Sequence, residues 1–129
     1  MNVADLAVEP ASTLLSARHL ATLATLRGDG SPHLVPVGFT YDPSSRLARV
    51  ITSDGTQKVR NVERARRASV NQIDGPRWLT LEGPARINRN PDAIADAEER
   101  YGARYGGPRP NVRRVVIEIH VERVLGRVV

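Results

Sequence analysis

Apolar and polar residues alternate along most of this chain, and the alternation breaks into six extended runs, at 20–26, 32–41, 47–53, 68–73, 77–88 and 113–125. A two-residue period puts successive side chains on opposite faces of a strand. In the second run His33, Val35, Val37, Phe39 and Tyr41 share one face, and Leu34, Pro36, Gly38 and Thr40 the other. The last run is the cleanest, with Val115, Ile117, Ile119 and Val121 facing in and Arg114, Glu118, His120 and Glu122 facing away. The runs are separated by Gly28-Asp29-Gly30, Asp42-Pro43-Ser44-Ser45 and Asp74-Gly75-Pro76. Such residues supply the positive φ or the fixed φ that tight turns require, so antiparallel hairpins are expected.

Three stretches change period. Residues 11–19 suit a short helix capped by Ser12 or Thr13, with Leu14 and Leu15 inward. Residues 56–67 carry Val59, Val62 and Ala65 as a thin apolar stripe, with Thr56 as the expected cap. Asn90-Pro91-Asp92 opens a helix that presents Ile94, Ala97, Tyr101 and Tyr105 inward and stops at Gly106-Gly107-Pro108. Strands and helices do not alternate as in a doubly wound sheet. Gly83-Pro84 interrupts the fifth run as a bulge or bend that closes a barrel would. The expected fold is mainly β, a six-stranded antiparallel barrel with peripheral helices, in one domain spanning 1–129 with 1–10 flexible.

Composition narrows the chemistry. The 129 residues contain no cysteine, which removes disulfides, thiolate metal sites and thiol nucleophiles. Residues 1–10 include Asp5 and Glu9 and no long apolar run, so neither a signal peptide nor a membrane span is expected there, and the chain reads as soluble and cytoplasmic. The formal net charge is +5, but the arginines are scattered and a single tryptophan and a single phenylalanine offer no stacking platform, so no nucleic-acid partner is expected. His19, His33 and His120 lack ligand spacing, and no metal site is expected.

One stretch collects candidate chemistry. Asp54-Gly55 turns the third strand into a helix whose first turn holds Lys58, the one lysine among nineteen basic residues, flanked by Gln57 and Asn61. Unpaired amides and the macrodipole make such a turn a natural seat for phosphate. Pro36 and Gly38 fit poorly in a central strand. They mark either an edge or bulge, or a place where a flat ligand lies against open backbone.

The runs Leu20-Ala-Thr-Leu-Ala-Thr-Leu-Arg27, Ser31-Pro-His-Leu-Val-Pro-Val-Gly-Phe39, Arg49-Val-Ile-Thr52 with Gln57-Lys58 and Asn61, and Gly75-Pro-Arg-Trp-Leu-Thr-Leu-Glu-Gly83 together resemble the split β-barrel flavin and deazaflavin reductases. That superfamily includes pyridoxamine-phosphate oxidase. The order of motifs is most similar to the actinobacterial branch that uses coenzyme F420, and within it to the biliverdin reductases. The resemblance runs from about residue 14 to 126. It implies an FMN-binding type of split barrel, a homodimer with the cofactor in a groove between subunits, and hydride transfer to a small conjugated acceptor such as a tetrapyrrole, with FMN as the alternative cofactor. Carried over, the ring contacts fall on His33, Leu34, Val35, Pro36, Val37, Ile51 and Thr52, and the phosphate contacts on Gln57, Lys58 and Asn61 with Arg49 or Arg60 as helper. Trp78 would stand beside the ring. His33 and Arg109 are the candidates for proton delivery, Arg109 being better suited to bind a propionate, and the loop 106–112 would shape acceptor choice.

Overall fold

The computed structural model describes residues 1–129. Strands β1 (Ala21–Leu26), β2 (Pro32–Val37), β3 (Thr40–Asp42), β4 (Leu47–Ser53), β5 (Arg67–Asp74), β6 (Arg77–Asn88), β7 (Arg114–His120) and β8 (Arg123–Arg127) are joined by helices α1 (Ala11–Ser16), α2 (Gln57–Ala65) and α3 (Pro91–Tyr105). All pairings are antiparallel, in the order β2-β1-β5-β6-β7-β4-β3 with β8 added to β6. The two ends of that order, β2 and β3, are consecutive in the chain. The sheet therefore curls round one core, in which Leu23, Val70, Leu79, Val50, Ile117 and Phe39 from both halves are buried together.

The curl is made in β6. Its first part pairs with β5 and β8, its last residues 85–88 with β7, and the change of partner falls at Gly83-Pro84. A Cβ on Gly83 would stand 2.0 Å from the carbonyl oxygen of His120. Only a residue without a side chain lets β7 cross so near.

Eight strands stand where six were expected, because two runs break. The run 32–41 divides at Gly38-Phe39, where the tyrosines at the end of α3 cover the backbone: a Cβ on Gly38 would meet the rings of Tyr101 and Tyr105 at 3.0 and 3.1 Å. The run 113–125 divides at Val121-Glu122, whose amides leave β4 to bond Arg46 and Glu82 carbonyls, so that β8 continues on the other sheet. Glu118, expected to face away, is buried, because Arg86 Nε and Asn88 Nδ2 donate to its carboxylate at 2.8 and 3.2 Å. Residues 3–7 are not a loose arm either. They form a 3-10 turn boxed by Asn2 and Asp5, and Leu6 is buried in the core.

The helices cap the barrel. Asn90 caps α3 as expected, accepting from the Asp92 amide. α1 begins after Pro10, without a hydroxyl cap from Ser12 or Thr13. No helix is long and apolar enough to cross a membrane.

Replacing Gly83 by alanine should cost about 3 kcal/mol, since backbone must move to make room. The Gly107→Ala variant, whose added methyl meets nothing within 4 Å, should stay within about 0.5 kcal/mol of the parent in urea unfolding.

Candidate active site

A groove of about 620 Å³ opens where the β2–β3 break, β4, the start of α2 and the end of α3 meet. Pro36, Val37 and Gly38 form one wall and Ile51 and Thr52 another. Tyr101, Tyr105 and the loop 106–109 overhang it. Four cations line it, Arg18, Lys58, Arg109 and Arg114, and no carboxylate does.

Lys58 reaches the groove from the first turn of α2. Thr56 is the N-cap residue, in extended conformation, but its hydroxyl donates to the Ser53 carbonyl at 3.0 Å instead of accepting from the helix. The amides of that turn are left without a side-chain cap. Lys58 is half-buried with no hydrogen-bonded or charged partner, and burial alone pushes its ammonium below the usual lysine range. An unpartnered half-buried cation beside uncapped amides is a donor set that fits an anion.

The neighbours expected to help are turned to structure. Asn61 is fully buried: its amide donates to Thr25 Oγ1 at 3.0 Å, and its carbonyl oxygen accepts from Gln57 Nε2 at 2.7 Å and Arg64 at 3.2 Å. Gln57 is thereby occupied, and its own carbonyl oxygen takes Arg60, which also bonds the Gly55 carbonyl. One helical turn explains this, since 57, 60, 61 and 64 are neighbours at i, i+3 and i+4. Arg49, on β4, lies 3.9 Å from Asp42 of β3 and does not line the groove.

Of the strand residues expected at the ring, Pro36, Val37, Ile51 and Thr52 line the groove, while His33, Leu34 and Val35 do not. His33 is roughly 10 Å along β2 from Pro36, with a buried Nδ1 that finds no partner. Val35 packs on the core and Leu34 is exposed on the opposite face. Trp78 also points outward, because its neighbour Leu79 takes the inner face of β6; it stands beside Ile73 of β5, away from the groove of its own chain. Of the two candidate proton donors only Arg109 lines the groove.

Four contributors went unread in the sequence: Arg18, Arg114, and Tyr101 and Tyr105 as groove walls. Arg114 is held by Glu98 at 2.5 Å and in turn donates to the Arg109 carbonyl at 2.7 Å. Tyr105 donates to the His19 carbonyl at 2.7 Å and accepts from the Phe39 amide at 3.1 Å, and burial pushes its phenol pKa up. Next to it Arg104, a half-buried cation without a carboxylate, donates to the carbonyls of Ala17 and Phe39 and to Gln72 Oε1, between the rings of Phe39 and Tyr105. The signal for these tyrosines was Gly38, the one position where ring and backbone could touch.

The chain belongs to the pyridoxamine 5'-phosphate oxidase family, whose model its residues 8–127 match. Over 118 residues, 92% of this chain and 86% of the relative, it is 58% identical to the F420H(2)-dependent biliverdin reductase of Mycobacterium tuberculosis (strain CDC 1551 / Oshkosh). Among solved structures, an F420 reductase superposes with a TM-score of 0.75 at 25% identity, covering 92% of this chain and 98% of its own. A conserved hypothetical protein of Mycobacterium tuberculosis gives 0.76 at 27% identity, covering 92% and 84%.

Asn61 and Lys58, three residues apart, should behave oppositely. The Asn61→Ala variant strands buried partners and should lose about 1–3 kcal/mol. The Lys58→Met variant removes a charge the fold disfavours and should unfold at the same temperature or higher. The folded pKa of Lys58 lies below the unfolded one, so the parent should gain stability as pH rises through that window while Lys58→Met does not. Thermal unfolding of the three proteins between neutral and alkaline pH measures both effects.

Proposed function

We propose that this protein is an F420-dependent oxidoreductase that transfers a hydride from the reduced deazaflavin to a conjugated acceptor, biliverdin or a similar tetrapyrrole. The observation that carries the reading is the groove itself: an unpartnered, half-buried Lys58 at an uncapped helix start, in a cleft lined by four cations and no acid. The 58% identical relative supplies the activity.

The cofactor, when bound, supplies the hydride, and the protein supplies position and enclosure. Lys58 and the first-turn amides of α2 would hold the phosphate. Pro36, Val37, Ile51 and Thr52 offer apolar and backbone surface to a flat ring, and Tyr101, Tyr105 and residues 106–108 screen it from water. Arg109 is a poor source of the proton that completes the reduction, because a guanidinium titrates too high. Its part is to bind.

A second copy of the chain would complete the cleft. Leu20, Leu34, Ile73, Trp78 and Leu125 are all exposed on the outer face of β2, β1, β5, β6 and β8, with Ile73 beside Trp78 in register. Pro36, a groove residue, is exposed on this same face of β2. Large apolar side chains exposed on one face of adjacent strands are what a homodimer buries, and a dimer through this face would bring Trp78 of one copy toward the groove of the other. The reading puts the enzyme in the cytoplasm.

Titration of coenzyme fluorescence should show saturable binding, weakened about 1–3 kcal/mol in Lys58→Ala. Affinity should fall as pH rises through the depressed Lys58 titration, because only the ammonium attracts phosphate. Reduced F420 should be oxidised when biliverdin is added, and binding without turnover would mark a carrier instead. A yellow protein as purified, with no affinity for F420, would make FMN the cofactor and overturn the reading. An Ile73→Glu variant should elute as a monomer in light-scattering chromatography and bind the coenzyme more weakly.

A further inference from the structure

Two of the groove's cations are built unlike ordinary surface arginines. Arg18 is exposed and unpaired, yet the carbonyls on either side of it are fixed: Ala17 accepts from Arg104 Nε at 2.8 Å and His19 from the Tyr105 hydroxyl at 2.7 Å. Arg109 is likewise exposed, and its own carbonyl accepts from Arg114 Nη2 at 2.7 Å. Arg114 is mostly buried and ion-paired to Glu98, with only its Nε left without a partner. Both free guanidiniums thus hang from pinned backbone over one cleft, and they come from elements other than the helix that carries Lys58.

We infer that Arg18 and Arg109 form a receptor for the carboxylates of the acceptor, so that the enzyme selects a flat conjugated molecule bearing two acid groups over neutral acceptors of similar redox character. The inference rests on the reading of the cleft as an F420-dependent reductase site. A guanidinium offers a planar fork of donors that matches a carboxylate. Pinning its backbone lowers the ordering cost of binding while the head remains free to meet a ligand. With no acid on the lining, nothing inside the cleft competes for either arginine. Gly106 and Gly107 leave open space beside Arg109, since an added methyl at either would meet nothing within 4 Å. That space admits a substituent as well as a ring. The coenzyme's tail also carries carboxylates, so cofactor and acceptor share this chemistry, and the test must separate them.

The test measures equilibrium binding of biliverdin and of its dimethyl ester, by visible absorbance, to protein saturated with oxidised F420. It does so for the parent, for Arg18→Gln and Arg109→Gln, and for the double variant, with F420 affinity measured on each by fluorescence. The parent should bind the diacid at least roughly tenfold more tightly than the diester, as expected for charge-assisted bonds discounted for exposure. The preference should shrink in each single variant and fall to near unity in the double variant, with F420 affinity within twofold of the parent. Equal binding of diacid and diester by the parent overturns the inference. Loss of F420 affinity with the diacid preference intact also overturns it, and gives the pair to the coenzyme's tail. A parent that binds no F420 fails at the earlier step, and refutes the reductase reading together with this one.

Discussion

The fold turns on how the backbone of Phe39 is satisfied. At the break between β2 and β3 its amide and carbonyl leave the sheet, and burying them unpaired would cost several kcal/mol. Tyr105 takes the amide and Arg104 the carbonyl. The same two side chains reach the end of α1 and, through Gln72, strand β5; Gln72 in turn bonds the Leu14 carbonyl at 2.8 Å. One pair of residues at the end of α3 therefore fastens four segments, and the gap they bridge is the cleft. A continuous strand from 32 to 42 would need no such bridge and would leave no opening.

This explains how a half-buried cation does without a counterion. Arg104 is satisfied by neutral oxygens and two aromatic faces, which tolerate a guanidinium better than they would an ammonium. Burial pushes its pKa below the usual arginine range, from so high a starting point that the group stays charged. Carbonyl partners also keep the junction free of carboxylates, so the potential of the cleft is not offset by the anchor that shapes it.

Much of this was legible beforehand. Alternation located the strands 47–53 and 77–88 to the residue, and Gly83-Pro84 announced the corner, because period and punctuation are local properties. The breaks at Gly38 and Val121 were not legible. A run of alternating residues reads the same whether its amides meet a sheet partner or a tyrosine hydroxyl. The site divides similarly. Lys58, Pro36, Val37, Ile51, Thr52 and Arg109 came from motif and resemblance and do meet at one cleft. Asn61 and Gln57 carry the right chemistry for an anion, yet helical spacing aims them at each other and at Thr25. Arg18 had no local signature, since only the bonds from Arg104 and Tyr105 to the carbonyls of Ala17 and His19 bring it to the opening.

The solitary lysine has a practical consequence. Because it supplies the chain's one side-chain amine and desolvation makes that amine more often neutral than its solvated counterparts, an acylating or reductively methylating reagent would label the protein at two places, the amino terminus and the mouth of the cleft. Isotopically enriched methyl groups attached there would give a spectroscopic reporter of whatever occupies the opening, with no cysteine to introduce and only the amino terminus to tell apart from it.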